Sequence, residues 1–384
     1  MKSNQSVCFS KPSALFFIIL LLSFFLYHCH PDELQETTIQ KSSPGLPVHA
    51  GLVGPGQGGP GSTGHPPLKS ESWHKLKGDV MALEEVWGTR IAAQSFFQVP
   101  GGIGMLYNSK PPDASEARAQ GIAANQTGSL AFTRNLIDWV DYPGNPVLYE
   151  VQDWQGSARV MVSSLVYDEE NEIWVTYYGD AHGDYPGIRA CGVAYSTDLL
   201  NWTYEQEPVL TIMDYAAAVP DRIQATEEEL LTEGRIYCSG IILHEGTYYM
   251  RVSGSNITGE NREYGIIMLT SQHPAGPFEY LEVDTDATFS SPPVYWNGTW
   301  YSVFPGTWDG EPGFGLSYSS NLLGPYEENP HNPIFTVETT QRSGPLLIRF
   351  NGSWAVIYTH QHDTDTMPMR IAVANMYPDL IPNW

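Results

Sequence analysis

The sequence predicts an all-β chain folded as a five-bladed β-propeller of four-stranded antiparallel blades. Two recurring pieces carry that expectation. An aromatic strand entered through a turn occurs five times, as GGIGMLYNS, NEIWVTYYGD, EGTYYMRVSG, NGTWYSVFPG and NGSWAVIYTH. Each is followed by a second strand that ends in a polar turn, as SLAFTRNLIDW, GVAYSTDLLNW, IIMLTSQHPAGPF, GLSYSSNLLGPY and RIAVANMYPDLIPNW. With Tyr107, Tyr178, Val252, Phe304 and Tyr358 as equivalent points, the units are separated by 71, 74, 52 and 54 residues, so two of them carry insertions.

Two further strands complete each unit. Ahead of the aromatic strand, small residues lead into an apolar strand: AAQSFF, VSSLVY, CSGIIL, SSPPVY and RSGPLL. A short apolar or Pro-led strand, NPVLYE, EPVLTI, EYLEV or NPIFTV, follows in only four units. The last unit reaches Trp384 without one, so an N-terminal strand around Val80 to Trp87 is expected to close the last blade. Asn-Gly pairs at Asn297 and Asn351 read as hairpin turns, although both also begin glycosylation sequons.

The organisation expected is a signal or lipoprotein-type leader over 1–30, a Gly/Pro-rich linker over 31–75 and the propeller over 76–384. Lys2 and Lys11 precede the apolar run from Ala14 to Tyr27, which has the length of a signal-peptide core rather than a membrane span. Cys29 closes a loose lipobox, so lipid anchoring competes with a retained N-terminal anchor. Either way the chain is expected outside the cytoplasm, secreted or tethered at the cell surface or in the periplasm. Cys191 and Cys238 form neither a CxxC pair nor a zinc spacing, and the sequence leaves open whether they bridge.

Nineteen Lys and Arg against 43 Asp and Glu leave a net charge of −24, which repels nucleic-acid backbones and anionic lipid headgroups. No G-x-S-x-G, P-loop, HExxH or dinucleotide-binding fingerprint is present, which removes the serine-esterase, nucleotide, zincin and dehydrogenase classes. Oligomeric state is not legible.

The turn Tyr195-Ser196-Thr197-Asp198-Leu199-Leu200-Asn201-Trp202, with variants at Thr133 to Trp139 and Ser317 to Tyr326, resembles those of the five-bladed β-propeller glycoside hydrolases. These include the arabinanase and β-xylosidase type, the invertase and levansucrase type, and the mannoside phosphorylases. The likeness spans about residues 80 to 384 and marks the scaffold rather than a reacting atom. It implies a carbohydrate substrate and carboxylates where the innermost strands begin. Those positions here read Gln94-Ser95, Ser163-Ser164 and Cys238-Ser239, without the family's Asp-Pro signatures.

The acids are therefore sought in the loops that the resemblance places on the cavity face. Asp180 directly follows the aromatic strand and precedes a glycine-flanked His182; it is the first catalytic candidate, against a plain surface acid. Glu233 opens Glu233-Gly234-Arg235, near where related enzymes carry their acid, but 13 residues before Gly246. Asp309, between Trp308 and Gly310, is either a sugar-contacting acid beside a stacking indole or an exposed turn. Glycoside hydrolysis needs two such carboxyls across the scissile bond.

Substrate-binding candidates are Arg90, Gln94, Ser164, His182, Arg235, Trp308, Arg342 and His360. Arginines shortly before the inner strands would favour an anionic glycan if they ring the cavity mouth, or would simply pair with the surplus acids. His360, His362, Asp363 and Asp365 read as a polar rim or a structural calcium site; no catalytic metal or other cofactor is expected. The reading that results is a glycoside hydrolase. The alternatives are a non-catalytic glycan-binding propeller, or phosphorolysis or transglycosylation on the same fold.

Overall fold

The computed structural model describes residues 65–75, 84–85, 88–110, 115, 121–122, 126–155, 160–179, 190–223, 225–256, 263–284, 289, 291–338, 342–350, 353–360 and 369–374. All lie in the compact unit Leu46–Trp384.

Short alternating strands and tight turns produce antiparallel sheets, and the structure is a β-propeller. After β1 (Trp73–Lys75), the first sheet holds β2 (Glu84–Glu85), β3 (Gly88–Val99), β4 (Gly102–Lys110), β5 (Thr127–Thr133) and β6 (Trp139–Asp141) in that spatial order. The second holds β7 (Met161–Asp168), β8 (Ile173–Gly179), β9 (Ala190–Ser196), β10 (Thr203–Tyr204) and β11 (Leu210–Thr211). The third comprises β12 (Gly234–His244), β13 (Thr247–Asn256), β14 (Glu263–Ser271) and β15 (Glu279–Leu281). The fourth comprises β16 (Val294–Trp296), β17 (Thr299–Trp308), β18 (Glu311–Ser319), β19 (Glu327–Glu328) and β20 (Phe335–Thr336). The fifth orders β21 (Arg342–Phe350), β22 (Ser353–His360) and β23 (Met369–Ala374), with β1 on its outer side.

Each sheet is covered on both faces because apolar clusters lie between successive sheets all the way round. Leu106 and Leu130 meet Val162 and Trp174; Val175 and Tyr177 meet Met250 and Val252. Ile242 and Met268 meet Trp300 and Leu322; Val303 and Phe314 meet Trp354 and Tyr358. Ile348 and Ile357 then return to Met105 and Tyr107 of the first sheet. Polar ties cross the same seams: the Asn108 amide donates to the Val162 carbonyl and accepts from its N–H, at 3.0 and 2.9 Å.

Four of the five small-residue entries to the inner strands are bulges. Register shifts fall between Ala93 and Ser95, Val162 and Ser164, Cys238 and Gly240, and Ser343 and Leu346. Small side chains tolerate the kinked backbone there and let the inner strands crowd together at the axis. The Ser-x-Asp-Leu turn is structural. Asp198 Oδ1 accepts from the N–H groups of Leu200 and Asn201, Leu199 takes φ 65°, and its carbonyl accepts from Trp202 Nε1.

The outer strand is interrupted where the sequence showed a separate Pro-led piece. At the break Asn145 Oδ1 accepts from Leu130 N–H and Nδ2 donates to Leu130 O, at 2.8 and 2.9 Å. Asn332 does the same to Leu316, so a side-chain amide stands in for a ladder peptide.

Two features differ from the sequence expectation, and a third resolves a point that the sequence left open. First, the strand beside β23 is β1, with Trp73 opposite Ala374, whereas Glu84–Glu85 of the 80–87 segment pairs with β3. Packing starts at His65, ahead of the boundary drawn at 76: Trp73 is buried, its Nε1 donates to Pro67 O, and Leu68 O accepts from Asn329. Secondly, two short helices, α1 (Ile212–Ala218) and α2 (Glu227–Glu233), fill the insertion ahead of the third sheet. Both start with capping boxes, Thr211 with Asp214 and Thr226 with Glu229. Thirdly, Cys191 and Cys238 form a disulfide that joins β9 to β12 across the seam between the second and third sheets.

Candidate functional site

The sheet registers define two ends of the central axis. At one end the inner strands begin and the second strands finish: Arg90 lies opposite Ser109, Met161 opposite Gly179, Arg235 opposite Ser255 and Arg342 opposite His360. Arginines therefore occupy the starts of three inner strands on one face. β8, β13 and β22 end on this face at Gly179, Asn256 and His360, and the expected acids follow those residues in the sequence. Asp180, His182, Glu260, Arg262, His362, Asp363 and Asp365 lie outside the described residues, as do the side chains of Arg90, Gln94, Arg342 and His360.

Glu233 is placed by α2, whose last residue it is. The following Gly234 opens β12 and donates its N–H to Leu230 O. A side chain at Gly234 would collide with that carbonyl, so the glycine is what allows helix and inner strand to meet at this corner. The result holds Glu233, half-buried, at the start of an inner strand two residues from the half-buried Arg235.

Trp308 and Asp309 sit at the tip of the β17–β18 hairpin on the same face. Asp309 and Gly310 take φ 51° and 84°, a type I′ turn that explains the Asp-Gly pair without any ligand. Trp308 leans on Phe304, with ring centroids 6.0 Å apart, and lies over Gly306. The geometry thus gives Asp309 a turn role, and commits much of the Trp308 indole to its own hairpin.

Ser164 lies just inside this face, on the inner strand of the second sheet. It is 3% exposed, and its Oγ has no hydrogen-bond partner among the described residues. It lines an axial cavity of about 560 Å³ to which all five inner strands contribute, through Ser95, Ser164, Ile241, Pro292 and Leu347 among others.

That cavity extends toward the opposite end, where inner strands turn into second strands. Its rim comprises residues the sequence reading did not single out: Tyr167, Glu169, Glu170, His244, Glu245 and Tyr295, with Trp300 behind. Tyr295 and Trp300 rings are 4.9 Å apart, and His244 meets Trp300 edge-on at 5.0 Å. The only signal for them was the alternation that puts residues beside the Glu245-Gly246 and Asn297-Gly298 turns on the axial side.

Asp168, at the same rim, is already satisfied. Tyr248 donates to Oδ2 at 2.6 Å, Asn171 donates through its side chain and backbone, and Glu170 through its backbone. Burial alone would raise its carboxyl, but these donors outweigh it and hold Asp168 below the usual carboxylate range. Tyr248 in turn is pushed up by burial and by its bond to Asp168. Among the described residues, no three His, Cys, Asp or Glu side chains converge as a metal site.

No protein-family model and no curated protein matches the chain. Solved structures do. BT0996, in its RGII complex, is 12% identical over 79% of this chain and 92% of its own, with a TM-score of 0.53. A glycoside hydrolase is 11% identical over 79% and 92%, with a TM-score of 0.50. Zg3597, a family 117 glycoside hydrolase from the marine bacterium Zobellia galactanivorans, is 11% identical over 80% and 91%, at 0.49. At these identities the first two matches establish a shared β-propeller fold and nothing finer.

Proposed function

We propose that the chain is an extracytoplasmic glycoside hydrolase acting on a polysaccharide or oligosaccharide, built on a five-bladed propeller in which β1 closes the ring. The observation that carries this reading is the register of Arg90, Arg235 and Arg342 at inner-strand starts, on the face where α2 places Glu233 and where β8 ends at Gly179, the residue before Asp180. The fold shared with a solved glycoside hydrolase supports it.

Glu233, fixed by α2, is assigned as general acid and Asp180 as the opposing carboxylate. A separation of about 5 Å between such groups directs retention, and about 6.5–9.5 Å inversion. The arginines would hold carboxylate or sulfate substituents of an anionic glycan through bidentate contacts. The chemistry requires no cofactor. The leader and the Cys191–Cys238 bridge support export, with an N-terminal tether, into a compartment that sustains disulfides.

The test is saccharide release from a panel of neutral, uronic and sulfated polysaccharides, with and without phosphate. Release from an acidic substrate, independent of phosphate, is expected; strict phosphate dependence would assign phosphorolysis instead. A second reading, a non-catalytic glycan-binding propeller, is favoured by one observation: the bulged inner-strand positions hold Gln94, Ser163 and Ser239 instead of acids. Retained glycan binding with no product from any substrate would establish it.

A further inference from the structure

We propose that the far end of the axial cavity, at the inner-strand hairpins, is a second glycan-binding site, selective for a neutral saccharide. It faces away from the arginine-bearing strand starts, and the inference stands whether or not the chain is catalytic.

Four observations converge on that chemistry. The cavity, about 560 Å³, falls within the ordinary size range of small-ligand sites. Its rim presents a large aromatic to solvent, since Tyr295 is 40% exposed and rests against Trp300. Such a face packs on the apolar face of a pyranose ring, and an exposed ring backed by a buried one is already oriented for it. The polar groups beside it, Glu169, Glu170 and Glu245, are hydrogen-bond acceptors suited to sugar hydroxyls. Deeper in, the buried Ser164 Oγ has no partner among the described residues, and a polar atom so placed is normally satisfied by a ligand or a water.

Charge sets the selectivity. No lysine or arginine is among the described residues that line the cavity, and four carboxylates, Asp168, Glu169, Glu170 and Glu245, stand at its mouth. A uronic or sulfated chain would meet four carboxylates with His244, beside Glu245, as the single base among the described lining residues, whereas a neutral one meets acceptors and aromatic surface. Asp168 does not contribute a free acceptor, because four donors already occupy it. The rim is also rigid. Glu245-Gly246 and Asn297-Gly298 are tight turns with positive φ, so the ligand need not order a loop on binding.

The experiment uses the full chain and isothermal titration with neutral tetrasaccharides of xylo, arabino, galacto and manno configuration, beside tetragalacturonate. At least one neutral tetramer should bind. Tyr295→Ala should weaken that binding by about five- to tenfold while leaving circular dichroism, thermal unfolding and any saccharide release unchanged. Tetragalacturonate should show no Tyr295-dependent binding until Glu245→Lys reverses charge at the rim; the Glu245 side chain is 86% exposed, so the fold tolerates the change. The proposal is overturned if no neutral tetramer binds, if Tyr295→Ala leaves binding intact, or if tetragalacturonate binds the unaltered rim as well as the neutral ligand.

Discussion

The two ends of the central axis are made by the same five inner strands, yet they are finished in different ways. Where the strands begin, long connections join β4 to β5, β8 to β9, β13 to β14 and β22 to β23, and arginines stand at three strand starts. Where the strands end, short hairpins carry carboxylates and aromatic rings, pinned by positive-φ turns and by the Tyr248–Asp168 bond. Long loops can bring groups from separate sheets over one point, which acid/base chemistry needs; tight hairpins offer a fixed surface suited to recognition. On the function proposed above, the first face is the one suited to assembling a reaction and the second the one suited to holding a shape.

The sharpest way to break that comparison is to alter the first face. Asp180→Asn and Glu233→Gln are each expected to lower the rate of saccharide release by about 10²–10⁴-fold with the thermal unfolding profile intact, as measured by initial rates. Equal losses from Tyr295→Ala would put the chemistry at the wrong end.

Smaller effects test the frame that keeps the ends apart. Replacing Cys191 and Cys238 by serine removes the bridge between β9 and β12, and is expected to lower stability by about 2–4 kcal/mol in denaturant titrations. Tyr248→Phe removes one charge-assisted hydrogen bond at the hairpin face and should cost about 1.5–3 kcal/mol. Its consequence for pH has a definite sign. Asp168 titrates lower in the folded chain than unfolded, so its stabilising contribution is present above the unfolded Asp pKa of about 3.9 and is lost as pH falls through the folded value. Asp168→Asn should therefore flatten the acid limb of stability against pH; an unchanged limb would contradict the assignment. Asn332→Ala, far from both ends, should cost about 1–3 kcal/mol by leaving the Leu316 peptide groups short of partners, with no change in ligand binding.

The scaffold was legible because its repeats are local. Period-two aromatic strands, Ser-x-Asp-Leu turns and small-residue bulges each act within a few residues, and the structure realises them where they recur. The helices were missed although Thr211 with Asp214 and Thr226 with Glu229 spelled capping boxes, because seven-residue helices are too short to show apolar periodicity. The disulfide required the Cα atoms of Cys191 and Cys238 to lie 6.7 Å apart across a seam, a distance no sequence spacing encodes. Asp309 was read as an acid or an exposed turn because Trp-Asp-Gly satisfies both a sugar site and a type I′ turn, and the backbone angles show the turn. The hairpin rim went unseen because Tyr295 and Trp300 look like ordinary strand aromatics until ring closure turns them to the axis.

The most direct test of the central claim is the crystal structure of the Glu233→Gln variant with an acidic oligosaccharide cut from a substrate of the wild-type protein. The account predicts sugar density at the inner-strand starts, with a carboxylate or sulfate group on Arg235 and the scissile linkage beside residue 233. Density confined to the hairpin rim, around Tyr295 and Trp300, would contradict it.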